Sequence, residues 1–231
     1  VTDSTFGPVP SGTAVEHASR SMDAPLVIAA AVLGALLGFA ADRLAARWPA
    51  HVDGSVRPID WRTAVVVIGG AAASAALVAR WEDPRDVLVL GLYVAALIVL
   101  LATDLDQKLL PDVITLPLIA YTAAIAVLGL NPVIEDKAWY SPPLAAVLAP
   151  VLLAVTDRIF KGALGMGDLK LSVSLGLLAG LANLFVGFLV GTVAFAAVVV
   201  VLLATRRVGL QTAIPFGPAL IAAGVVAILL P

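Results

Sequence analysis

Charged side chains are absent from long stretches of this chain. The uncharged runs are 24–41, 63–79, 87–103, 113–134, 138–156, 171–205 and 208–231. A helix needs about 20 apolar residues to cross the hydrocarbon core of a bilayer, and the chain supplies that length repeatedly. The run 171–205 is too long for one crossing, since a single helix of that length would extend about 52 Å. Gly, Ala and Asn between Gly180 and Asn183 predict a break there. The pattern therefore predicts an all-α, polytopic transmembrane bundle of about eight spans, the sixth starting near Asp168.

Composition supports the same class. Of the 231 residues, 61% are hydrophobic and 13% are charged, against about 25% charged in a soluble domain. The absence of cysteine excludes disulfides and thiolate metal sites. A net charge of −2 gives no electrostatic basis for nucleic acid as a partner. Residues 1–23 are polar, without the basic-then-apolar order of a cleaved signal segment, and read as a flexible periplasmic or extracellular lead-in to a membrane domain over 24–231.

Lys and Arg orient the bundle. With eight spans, Arg43, Arg47, Arg57, Arg62, Lys108, Arg158, Lys161, Lys170, Arg206 and Arg207 fall on one side. Arg20, Arg80, Arg85 and Lys137 fall on the other. The first side is predicted to be cytoplasmic, with both termini outside. Trp48, Trp61, Trp81 and Trp139 fall near the predicted membrane edges, as an interfacial lipid-contacting belt requires.

Two short segments on the predicted cytoplasmic side carry the candidate chemistry. One runs from Thr103 through Asp104, Asp106 and Lys108 to Pro111 and Asp112; the other is Gly165-Met166-Gly167-Asp168 with Lys170 two residues on. Asp104 follows directly on an apolar run, and Asp168 lies where a glycine-bearing loop re-enters one. An ionisable group at a membrane boundary is costly and points to function. Two nearby carboxylates partly removed from water do not both ionise easily, so the pair holds a shared proton. One member then serves as base and the other as acid. That arrangement suits peptide hydrolysis. Gly165 and Gly167 permit backbone conformations closed to other residues, which would let the chain approach a substrate strand closely. Asp112 reads as an N-cap or first-turn acid of the following helix. Asp106 reads either as an orienting partner or as a solvated carboxylate. Lys170 reads as a topology and headgroup anchor or as a charge that tunes the pair.

The segment Asp104-Leu-Asp-Gln-Lys-Leu-Leu-Pro-Asp112 with Ile114-Thr115 resembles the first aspartate motif of type IV prepilin peptidases. Gly165-Met-Gly-Asp168 with Lys170 resembles their second, the glycine-x-glycine-aspartate signature. Ile214-Pro215-Phe216-Gly217-Pro218 is similar to the motif of the family's last helix. Gly34, Gly38-Phe39 and Arg43 before Pro49 loosely resemble its N-terminal signature. The resemblance implies catalytic roles for Asp104 and Asp168, supported by Gly165, Gly167, Asp106, Pro111, Asp112 and Lys170. It implies a membrane aspartic endopeptidase of the bacterial inner membrane that needs no metal or organic cofactor. Its implied substrate is a prepilin or pseudopilin, cut where a basic cytoplasmic leader meets an apolar helix. Many members of the family also carry a zinc-binding insert with two CxxC pairs after the first helix and methylate the new pilin N-terminus. Here the corresponding loop is only about 43–62 and has no cysteine, so methyltransferase activity is expected to be absent. The alternatives are another GxGD intramembrane protease, or a small proton-coupled transporter using the same aspartates.

Overall fold

The computed structural model describes residues 12–49, 54–134, 139–160, 165–204 and 216–230, with side chains from Ala24 onward. Lys137, Lys161, Arg206, Arg207, Ile214 and Pro215 lie outside the described residues. Among the described residues the chain forms seven helices: α1 (Gly12–Ala45), α2 (Trp61–Arg80), α3 (Pro84–Gln107), α4 (Asp112–Val127), α5 (Ser141–Phe160), α6 (Met166–Ala204) and α7 (Gly217–Leu229). Five are long and apolar enough to cross a membrane, while α4 and α7 are shorter apolar helices. The protein is an all-helical, polytopic membrane bundle. α1 extends back to Gly12, into the segment that composition reads as an irregular lead-in.

Local signals set the helix ends. Asp60 caps α2: its carboxylate accepts from the Arg62 N–H, and Thr63 Oγ1 accepts in return from the Asp60 N–H. Such a capping box satisfies donors that the first helical turn leaves orphaned. Asp83 caps α3, with Pro84 at its first position, where a missing N–H costs nothing. α3 ends at Lys108, which takes a left-handed conformation (φ 56°) and donates its N–H to the Asp104 carbonyl.

α6 is two arms rather than one rod. Gly180 has φ 67° and ψ −177°, a backbone region that side chains with a Cβ avoid. Leu175 packs against Gly224 of α7, while Gly191, further on, packs against Ala219 and Ala223. A straight helix would carry residue 191 about 24 Å beyond residue 175. Both instead lie against neighbouring turns of α7, so the chain folds back at Gly180. The predicted break therefore falls at this glycine.

Backbone groups freed in an apolar environment must find partners within the protein, and the break is surrounded by them. The Leu181 N–H donates to Ser141 Oγ at 2.7 Å. Asn131 Nδ2 donates to the Leu178 carbonyl at 2.9 Å, and Asn183 Nδ2 to the Val133 carbonyl at 3.4 Å.

Small residues bring the helices close, because in lipid packing supplies more of the association than apolar burial does. A Cβ on Gly34 would come within 2.2 Å of the Gly70 carbonyl oxygen, so α1 and α2 touch backbone to backbone. α7 lies between α3 and α6, with Gly224 against both Leu97 and Leu175. Tyr93 and Ser174, both buried, join α3 to α6 by a hydrogen bond of 3.1 Å. At the far end of α7, Trp81 Nε1 donates to the Ile228 carbonyl at 3.2 Å.

Replacing Ser141 by Ala leaves the Leu181 N–H without its acceptor. Stability should fall by about 1–3 kcal/mol, read as a lowered melting temperature in detergent. An unchanged melting temperature would show that the fold-back does not rely on this cap.

Candidate active site

The ends of α3, α4, α6 and α7 meet at one end of the bundle. Asp104 stands in the last turn of α3 and Asp168 in the first turn of α6. Both are buried, 4% and 7% exposed, and the Asp168 carboxylate acts on Asp104 within Coulombic range. The two acids, far apart in sequence, therefore share one buried site.

Each carboxylate is held differently. The Gly165 N–H donates to Asp168 Oδ2 at 2.9 Å, while the Asp168 N–H returns to the Gly165 carbonyl at 3.1 Å. This is the logic of a capping box, with the acid three residues inside the helix reaching back to the cap. It fixes the Asp168 side chain and commits one of its oxygens. Asp104 is held by packing: a Cβ on Gly217 would lie 2.5 Å from Asp104 Oδ2 and 2.6 Å from its Cγ. The first turn of α7 thus rests directly on the Asp104 carboxylate. Asp104 Oδ2 and Asp168 Oδ1 are buried without a hydrogen-bond partner among the described residues.

The two glycines of the second motif act in unlike ways, and neither is in the positive-φ region. Neither therefore uses the conformational freedom that glycine permits. Gly167 is required by close approach: a Cβ there would meet Leu110 Cβ at 2.6 Å and the Leu110 carbonyl oxygen at 3.1 Å. The first motif's loop lies directly on the start of α6. At Gly165 a Cβ would make only ordinary contact, the nearest atom being Asp168 Oδ2 at 3.5 Å.

Pro111 is the residue before α4, and Asp112 opens that helix as a first-turn acid without a side-chain cap bond from Pro111. Lys170 Nζ donates to Asp112 Oδ1 at 2.6 Å, so it ties the starts of α4 and α6 together. Both side chains are partly exposed, and such pairs contribute about 0.2–1 kcal/mol. Asp106 faces away from this cluster. It is nearly fully buried, with Arg57 Nε 2.6 Å from its Oδ1 and Arg62 Nη1 at 3.6 Å. The solvated alternative for Asp106 is thereby excluded.

Sequence reasoning missed two contributors. Gly217 was visible only as part of a motif, and its contact with Asp104 exists only in three dimensions. Arg57 counted only as one cytoplasmic charge among several. Its guanidinium meets three carboxylates. Burial disfavours its charge, but the hydrogen bond and Coulombic pull of Asp42, with Asp60 and Asp106, outweigh this and raise its pKa above the ordinary arginine value. A concavity of about 340 Å³, lined by residues including Asn131, Trp139 and Leu177, holds no titratable side chain among the described residues.

A bundle of apolar helices that buries two carboxylates within Coulombic range at one end defines a polytopic membrane protein with a candidate acid–base site. Residues 91–203 match the type IV leader peptidase family; the match includes both Asp104 and Asp168. The chain is 32% identical over 176 residues to a prepilin leader peptidase/N-methyltransferase of Pseudomonas putida, covering 74% of this chain and 59% of that protein. It is 35% identical over 131 residues to one of Stutzerimonas stutzeri (54% and 44% covered). A third, of Bacillus subtilis, is 29% identical over 141 residues (59% and 53%). The chain thus spans about half the length of the curated relatives it matches. No solved structure matches it.

Gly167→Ala should force the Leu110 loop off α6 and cost about 1–3 kcal/mol, whereas Gly165→Ala should leave the melting temperature nearly unchanged. Equal effects of the two substitutions would contradict the packing described.

Proposed function

We propose that this protein is an aspartic endopeptidase that removes the basic leader from type IV prepilins or pilin-like secretion subunits. The observation that carries the reading is the pair of buried carboxylates, Asp104 and Asp168, brought together from separate helices within the family-matched residues. The names of the relatives support the substrate class. Arg43, Arg57, Arg62, Lys108 and Lys170 gather at the same end of the bundle as the aspartates, which supports a cytoplasmic location for that end. There the site meets the junction between a cytoplasmic leader and an apolar membrane helix.

The chemistry follows from the pair. One shared proton lets one carboxylate draw a proton from water as the water attacks the scissile carbonyl. The other protonates the departing amide nitrogen. The two roles belong to the coupled pair rather than to either residue. The Gly165 N–H and the first turn of α7 hold the two carboxyl groups in place, so little reorganisation is needed when the reaction begins.

The reading is of a peptidase without methyltransferase activity. The curated relatives carry both activities in their names, but this chain has no cysteine to hold a structural zinc between its first two helices. A carrier that used the same acids would be expected to hold them near the bilayer midplane. Asp104 and Asp168 stand instead in the terminal turns of their helices.

Purified protein incubated with a prepilin should release the leader at its junction with the apolar helix. Asp104→Ala and Asp168→Ala should each lower the rate by at least about a hundredfold. With S-adenosylmethionine present, mass spectrometry of the mature product should find no added methyl group. Substrate transport without cleavage would refute the peptidase reading, and an N-methylated product would refute its restriction to proteolysis.

Gly217→Ala places a methyl group against the Asp104 carboxylate. Cleavage should slow by about a hundredfold, as expected when a reacting group is misplaced by about 1 Å, with the protein still folded. Wild-type turnover in this variant would show that the contact with α7 does not position Asp104.

A further inference from the structure

One guanidinium joins three segments of the chain at the aspartate end. Arg57 lies between α1 and α2, and its side chain is 9% exposed, so it is not available to solvent or lipid headgroups. Its Nη2 donates to Asp42 of α1, its Nη1 to Asp60 at the start of α2 at 2.5 Å. Its Nε forms an ion pair with Asp106 of α3, 2.6 Å away. Around this hub, Asp42 is fully buried and also accepts from Arg43 Nε at 2.9 Å and from Thr63 Oγ1 at 2.8 Å. Three carboxylates (Asp42, Asp60, Asp106) meet three guanidiniums (Arg43, Arg57, Arg62), so the cluster is neutral as a whole.

The contact with α3 matters most, because Asp106 is two residues beyond Asp104. Positions two apart on a helix point to roughly opposite sides. Asp104 meets Gly217 of α7, and Asp106 meets Arg57 behind it. A second tie reaches the same turn: Gln107 Nε2 donates to the Pro49 carbonyl at 2.6 Å. The helix turn that bears Asp104 is therefore held through Asp106 on its opposite side and through Gln107 at its end.

We propose that Arg57 is a positioning residue, clamping the last turn of α3 through Asp106 so that Asp104 faces Asp168 at a set separation. Arginine suits this task and lysine does not, because only a planar fork of five donors reaches three carboxylates from fixed directions. Asp106 then has a role distinct from that of the facing pair, as the handle by which α3 is held. In catalysis the clamp rests on the peptidase reading given above; as a statement about geometry it does not.

The chain contains no cysteine, so an introduced pair reports this geometry directly. In membranes carrying Asp104→Cys with Asp168→Cys, a short bis-methanethiosulfonate reagent should cross-link the two positions. Adding Arg57→Leu, Arg57→Lys or Asp106→Asn should slow the cross-linking tenfold or more. Asp106→Asn severs only the arm to α3 and keeps the side-chain shape, so it remains informative if Arg57→Leu does not fold. In the protein with both aspartates, Arg57→Lys and Asp106→Asn should lower kcat for a prepilin tenfold or more. KM should stay within twofold, and the loss should exceed any fall in folded fraction. Unchanged cross-linking in folded Asp106→Asn would overturn the clamp while leaving the peptidase reading intact. Failure of the pair to cross-link with Arg57 present would overturn the facing pair and the clamp together. Normal cross-linking effects in a protein that cuts no prepilin would support the clamp and count against the peptidase reading alone.

Discussion

A carboxylate removed from water is costly, and this bundle buries several at one end. Two kinds of environment meet that cost. Asp42 and Asp106 are matched by guanidiniums, with Arg57 shared between them. Asp104 and Asp168 are instead set within Coulombic range of each other, one resting against Gly217 and the other accepting from the Gly165 N–H. The neutral cluster behind α3 and the acid pair in front of it divide the same helix turn into a side held by guanidiniums and a side that bears the acid pair. Much of the remaining architecture serves to keep that division in place.

The apolar environment makes the rest of the fold strict about its backbone. Where the helical ladder is interrupted at Gly180, Ser141 and Asn131 take up the freed N–H and carbonyl groups. The fold-back lets both arms of α6 pack on α7, and α7 in turn abuts Asp104. The glycines at 34, 70, 167 and 217 each mark a place where another segment occupies the space a side chain would need. Close approach of backbones links the remote end of the bundle to the site without any large polar interface.

This arrangement also explains the division of labour between the two aspartate motifs. The first contributes a helix end with one acid facing inward and another facing back, followed by a loop that lies on Gly167. The second contributes a helix start whose acid is fixed by its own cap. Lys170 and Asp112 join the two at the more exposed rim, where a pair adds orientation more than stability.

Hydropathy alone established the helical membrane class, because a run of apolar residues long enough to span a bilayer has few other uses. The break near Gly180 was legible for a similar reason: a run too long for the membrane must turn, and glycine is where it turns most readily. Asp104 and Asp168 were legible because acids at the ends of apolar runs are rare and their motifs are distinctive. Arg57 was not, since a loop arginine has the same signature whether it meets solvent or three buried carboxylates. The roles of Gly167 and Gly217 were hidden likewise, because a missing side chain gains meaning only from the atoms that fill its place. Local pattern determined which residues form long apolar helices. The partners of each buried charge were decided only by the tertiary structure, because residues such as Asp42, Arg57 and Asp106 become neighbours only when their helices pack.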